Sequence, residues 1–434
     1  MRESLFAIFT VLAVVAAGAS EAAQSRTTEY HKKSLKITKE TPLNIKLPDG
    51  LFVTGTVKGP NGAAVKDAAV FVGNATEGFG GLGGVTNAAG GFSIPVQPGR
   101  KLVTVTPPSG PSPSPASFSR LLPKTLGELT VSGDTAVGVV SLANGFILSG
   151  RIDPPAGSGT LLMFSPFMEI FPVKSLALVR VAQVSGTNPL ISNLYAAALP
   201  AGTYRLLTRA TGSNMLGQSV QMLPRVDKVK VTKDTVKNIV MPSGGYSLSG
   251  TVKDAAGKAL DGALYAIPKS GALKGWDIQA MPVVKGSFGI IPVLNVKNAF
   301  LPAGPYLLLF VPTGHLMNTY TGKATVTSYD LTMPAAAKTL ALVAKNGFVV
   351  SGKVTDARGK TAKAAIVAFK PMAPLNVDML GLNFMLAATN AKGIFRFCLP
   401  ADTFNLYAFP STTPATALKP DEVFRRLILS ATGE

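Results

Sequence analysis

The sequence predicts an all-β chain of four tandem Greek-key β-sandwiches following an N-terminal signal peptide. A glycine-centred motif, "LFVTGTV" at Leu51, returns as "FILSGRI" at Phe146, "YSLSGTV" at Tyr246 and "FVVSGKV" at Phe348. Its shared glycines, Gly55, Gly150, Gly250 and Gly352, lie 95, 100 and 102 residues apart. That is the length of a sandwich domain, not of a solenoid repeat. Composition agrees: 434 residues that are 47% hydrophobic and 15% charged, with 44 Gly and 32 Pro, suit many short strands joined by turns.

The first element is the stretch "MRESLFAIFTVLAVVAAGASEAAQS", with Arg2 before an apolar run from Leu5 to about Ala19 and small residues for a peptidase at Ala17-Gly18-Ala19. It reads as an export signal over residues 1–23. A retained anchor is the alternative, but the run is shorter than the roughly 20 residues of a spanning helix. "YLLLFVP", Tyr306–Pro312, is strand-sized and ends in Pro, so no transmembrane span is expected in the mature chain. Cys398 is the only cysteine, which excludes an intrachain disulfide, and "FRFCLP" reads as a strand with a buried thiol. An exported chain without disulfides points to the periplasm, cell surface or exterior of a bacterium, where the sequon Asn74-Ala75-Thr76 carries no meaning.

Within each repeat a second glycine follows the first by seven residues: Gly62, Gly157, Gly257 and Gly359. Glycine there permits the positive φ of a tight strand connection. Further on comes "VQPGRKLVTV", "LPAGTYRLLT", "LPAGPYLLLF" or "LPADTFNLYA", a turn feeding a strand with alternating apolar positions. "TNAAGGFSI" and "TNAKGIFRF" precede it in units one and four. The expected limits are 24–47 for an N-terminal strand segment, then sandwiches at 48–143, 144–243, 244–345 and 346–434. Short connections between them lead us to expect small interfaces and independently folding units.

Together these markers resemble the carboxypeptidase regulatory-like domain, an immunoglobulin- or transthyretin-like sandwich with a carbohydrate-binding-like fold. Units one, three and four carry most of the pattern; unit two keeps mainly its first glycine pair and "LPAGTY". The resemblance implies fold rather than activity, since such modules serve many unrelated proteins. The zinc peptidase chemistry associated with the name belongs to a separate catalytic domain.

No catalytic, cofactor-binding or metal-binding residues are assigned, and no cofactor is expected. His31 and His315 are the only histidines and lack partner clusters in sequence, so both read as solvated or loop residues. "GFGGLG", Gly78–Gly83, satisfies a dinucleotide-binding pattern but precedes "GVTNAAGGFSI" rather than a helix, and reads as a strand-connecting loop. Trp276, the single tryptophan, is a candidate glycan contact, although a tryptophan in such an insertion is more often an anchor that pins a loop to its own domain. The formal charge of +19 favours an anionic glycan, another envelope polymer or an acidic protein over nucleic acid after export. The reading is a non-catalytic structural or adhesive protein, with a carbohydrate-binding protein as the alternative and an unrecognised hydrolase behind it. "SLKITKETPLNIKLPDG", Ser34–Gly50, repeats the closing strand pair seen in "KVKVTKDTVKNIVMPSGG", with no complete unit before it. It is expected either to cover unit one or to complete unit four of another molecule, giving head-to-tail self-association.

Overall fold

The computed structural model describes residues 26–75, 81–108, 119–156, 161–173, 180–181, 183–184, 193–214, 222–271, 274, 279–291, 296–297, 300–312, 322–369 and 384–410. Its regular elements there are all β-strands. The N-terminal segment supplies β1 (Tyr30–Ile37), β2 (Thr41–Pro42) and β3 (Ile45–Lys46). Unit one supplies β4 (Leu51–Lys58), β5 (Ala69–Asn74), β6 (Gly81–Val85), β7 (Gly91–Val96), β8 (Gly99–Thr106), β9 (Lys124–Thr125), β10 (Leu129–Val131) and β11 (Thr135–Ser141).

Unit one sets the pattern. One sheet runs β10-β8-β5-β6 and the other β11-β4-β7, with β11 parallel to β4. Alternating residues Val53, Val57, Val70, Val72, Ile94, Val103 and Val105 meet between the sheets, as the two-residue period of a strand dictates. Gly81-Leu82-Gly83, from the glycine-rich stretch, lies in β6 with Leu82 opposite Val72. It is part of a sheet, not a loop, and residues 76–80 lie outside the described set.

The repeated glycines have a geometric cause. A Cβ at Gly150 would stand 2.1 Å from the Lys237 carbonyl oxygen, one at Gly250 2.1 Å from that of Leu340, and one at Gly352 1.8 Å from that of Leu43. At each, the returning parallel strand crosses where only a hydrogen fits. The second glycines work differently: Gly62, Gly257 and Gly359 have φ of +78°, +83° and +81° in open space, so they are selected by backbone conformation. Gly157 lies outside the described residues.

Leu43, which crosses Gly352, belongs to the N-terminal segment. β1 pairs antiparallel with strand Asp402–Pro410, placing Leu35 opposite Phe404, and β2 and β3 pair in parallel with Phe348–Thr355. These are the positions that β10 and β11 hold in unit one. The segment therefore closes unit four of its own chain. It neither forms unit one's edge nor needs a second molecule to find its sheet. Leu35, Ile37, Ile45 and Leu47 are buried and join Val350, Phe395, Phe397 and Leu406 in one core. At about 1.5–3 kcal/mol per fully buried side chain, these four residues alone contribute roughly 6–12 kcal/mol of gross burial to unit four. A bulge at Ser34, φ 53°, breaks the register between Lys32 and Leu35, and the Ser34 amide donates to Asn405 Oδ1 at 3.0 Å. Lys32, Lys33 and Lys36 stay exposed along this outermost strand, where charge discourages pairing with another chain.

Where unit four meets units three and one, the interfaces are apolar and continuous with the cores, unlike the small contacts expected. In Asp402–Pro410, Phe404, Leu406 and Ala408 face unit four's core while Tyr407 and Phe409 join the core cluster of unit one. In unit three, Leu308 and Phe310 belong to that unit's core, whereas Leu307, Leu309 and Val311 join the cluster of unit four. Both faces of these strands are buried, which explains continuous apolar runs such as "YLLLFVP". Polar contacts repeat at the junctions. Arg26 meets Asp134 at 2.9 Å, Arg120 meets Asp234 at 2.6 Å, and Lys323 meets Glu40 at 3.0 Å. Each basic residue leads into a unit, and each acid stands in the turn before that unit's closing strand. Glu40 is supplied by the N-terminal segment, so this junction too treats the segment as part of unit four. Ala337 occupies the acid's place in unit three. Arg120 and then the Ile147 amide pull Asp234 down to about 2. These exposed pairs set register more than they stabilise.

Two outcomes follow. Deleting residues 26–47 should unfold unit four and expose 348–410 to protease, and a free peptide of that segment should restore protection; a deletion variant with unchanged protection would contradict the closure. Gly352→Ala should lower stability in urea by about 1–3 kcal/mol or more through overpacking against Leu43, and Gly257→Ala by about 1–2 kcal/mol through left-handed strain alone.

Candidate binding pocket at the closing seam

The seam where the N-terminal segment meets unit one departs from the repeat. The residue two after the turn glycine is Tyr204 in unit two and Tyr306 in unit three, and each hydroxyl donates to a carbonyl four residues back, Pro200 at 2.8 Å and Pro302 at 2.9 Å. Unit four has Phe404. Unit one has Lys101, with 1% of its side chain exposed. The connection entering each unit can be aligned by one shared hydrogen bond, in which the amides of Thr28, Leu122, Leu223 and Thr325 donate to Pro48, Ala143, Pro242 and Lys345. The next residue is Pro123, Pro224 or Val326 in units two to four, and Glu29 at unit one. An acid and a base thus replace two apolar or aromatic residues at the same seam.

The Lys101 ammonium donates to Asn74 Oδ1 and stands 3.9 Å from Glu29 Oε1. That occupies the Asn74 side chain, the acceptor of the sequon. Gln97 Nε2 donates to Thr28 Oγ1, and Arg100 pairs with Glu128. Glu29 is 3% exposed, and neither of its carboxylate oxygens has a hydrogen-bond partner. Beside it opens a cavity of about 340 Å³, lined among others by Glu29, Tyr30, His31, Asn74, Gln97 and Arg100. His31 is not a solvated loop residue: it lies in β1, with its ring stacked 3.9 Å from that of Tyr407.

Trp276 and His315 lie outside the described residues. Cys398 is fully buried at the junction of units three and four, with Sγ 3.3 Å from the Gly322 carbonyl oxygen, and burial pushes its thiol up to about 11. It behaves as a small apolar side chain, as the sequence suggested. Among the described residues no group of three or more His, Cys, Asp and Glu could hold a metal ion, and no helix is long and apolar enough to cross a membrane. A second buried ion pair, Arg209 to Glu169 at 2.8 Å, joins neighbouring strands of unit two. Sequence reasoning passed over Glu29 and Lys101, although "GRK" against "GTY" and "GPY" already carried the signal.

Burial pushes the Glu29 carboxyl above its ordinary 4.5, opposed by the Lys101 ammonium and the residue's own amide. A carboxyl raised on folding holds its proton more tightly in the folded chain. Its contribution to stability is then present below the unfolded value and lost as pH rises through the folded one. Compared with Glu29→Gln, which cannot titrate, the natural chain should lose stability as pH rises from about 4.5, read from urea midpoints. A difference that is flat or reversed would mean that Lys101 outweighs burial.

No family model matches the chain, and no curated protein matches it. Among solved structures it is similar to the Bacillus anthracis TIE protein at 13% identity and a TM-score of 0.17, over 68% of this chain and 50% of that one. The chain therefore spans half the length of that protein. It is also similar to BcpA, the major pilin subunit of Bacillus cereus, at 12% identity and a TM-score of 0.17, over 68% of this chain and 99% of that one. The minor pilin of Streptococcus agalactiae aligns at 14% identity and a TM-score of 0.19, over 46% of this chain and 96% of that one. Likeness at this level carries no argument about activity or partner.

Proposed function

We propose that this is an exported, non-catalytic protein with a structural or adhesive role in the bacterial envelope, built from carboxypeptidase regulatory-like sandwiches. The observation that supports the reading is the closure of unit four by strands made some 370 residues earlier. Pairing of distant segments ties both parts of the chain into one sheet pair, and apolar cores run on from unit three through unit four to unit one. Such a body resists unravelling from a terminal repeat, the weak point of an open array. That suits a chain exposed to proteases outside the cytoplasm. The partner is an anionic glycan or other envelope polymer, drawn by the +19 charge and by exposed edge lysines such as Lys32, Lys36, Lys228 and Lys230.

Binding of the mature protein to an acidic polysaccharide should fall steeply between low and physiological salt, where the Debye length shrinks to about 8 Å. Substituting those four lysines by Gln should weaken it further without loss of folding. Equal retention of neutral and acidic polymers across that salt range would refute a charge-directed role.

A further inference from the structure

We infer that the cavity at the closing seam is a binding site for a neutral, polyhydroxylated ligand of monosaccharide size. Only unit one replaces the apolar pair with Glu29 and Lys101. A buried ion pair of this kind is seldom kept for stability, since well-packed apolar residues at the same positions do as well or better. Units two to four supply those residues. The volume of about 340 Å³ falls within the range of small-molecule sites, roughly 300–1,000 Å³. Glu29 is a nine-tenths buried acceptor that lines this cavity, and neither of its carboxylate oxygens has a hydrogen-bond partner.

Charge decides the class. A cation would approach Glu29 but also Lys101 and Arg100, and an anion would approach those bases but also Glu29, at 3.9 Å from the Lys101 ammonium. Glu29 offsets Lys101 and Glu128 offsets Arg100, so the site carries no net charge to favour an ion of either sign. Several hydroxyls, each a donor and an acceptor, can give hydrogen bonds to Glu29 and exchange them with the amides of Asn74 and Gln97. Tyr30 and His31 complete the lining of the cavity. This site goes beyond the charge-directed role proposed above, and salt separates the two. Uptake of a neutral ligand should be nearly indifferent to ionic strength, whereas retention of an acidic polymer should not.

The test is calorimetric titration of the mature full chain, at physiological salt, with glucose, galactose, mannose and N-acetylglucosamine in turn, and with glutamine as a zwitterion of similar size. At least one neutral sugar should bind saturably. Glu29→Gln, which keeps the side-chain shape, should weaken it by about tenfold, as loss of a hydrogen bond to a charged group does. The double substitution Glu29→Val with Lys101→Phe installs the residues that unit four carries at Val326 and Phe404. It should abolish binding while the melting temperature holds or rises. Three results would overturn the inference: no sugar saturates the natural chain, a sugar binds equally well to both variants, or only glutamine binds.

Discussion

The structure depends on the pairing of β1, β2 and β3 with the first and last strands of unit four. Among the described residues of unit four those strands lack two partners, and the N-terminal segment brings both, together with Leu35, Ile37, Ile45 and Leu47 for the core. The same segment carries Glu40 to the junction with unit three, and Arg26 and Glu29 to the junction with unit one. One stretch therefore completes a sandwich, sets two boundaries and forms a wall of the seam where a buried acid and base stand in place of apolar residues. The cost of closing so long a loop grows only slowly with its length. Four buried aliphatic side chains and two strand ladders are enough to offset it.

The second organising feature is that strands are used on both faces. An isolated sandwich would leave Tyr265, Ile267, Leu307 and Leu309 in water, yet each is at most 3% exposed. The units are thus parts of one apolar network where three meets four and four meets one. The repeated Arg or Lys to Asp or Glu contacts add little energy at such exposed positions. They fix which turn of one unit faces which connection of the next, so that the apolar faces meet in register.

Much of this was legible in the sequence. The glycines at about 100-residue spacing marked the first strand of every unit, and the spare pattern "SLKITKETPLNIKLPDG" announced a displaced pair of closing strands. What the letters could not say was where those strands go, because pairing is between backbones and any open edge of matching hydrophobic phase would serve. The small interfaces expected from short connections were wrong for a related reason. "YLLLFV" reads equally well as one strong core face or as two buried faces. His31 looked solvated because its stacking partner, Tyr407, is 376 residues away. The pocket was half legible: a lysine in a tyrosine's place is visible in an alignment of the units, but its acid lies in a connection that only the fold brings near.

The displaced strands impose an order in time as well as in space. Residues 30–46 are synthesised long before their partners at 348–410 exist, so unit four is the last to be finished and units one to three can form while the early strands wait. Non-local pairing of this kind is slow, and unpaired strands are prone to the wrong partner in the meantime. The waiting segment is suited to the delay. Lys32, Lys33, Lys36, Lys39 and Lys46 space out its aliphatic residues, and Pro42 and Pro48 interrupt it, so it makes a poor nucleus for aggregation. The lysines that look like decoration on an edge strand in the folded protein are, during its biogenesis, what keeps that strand soluble until its partners emerge.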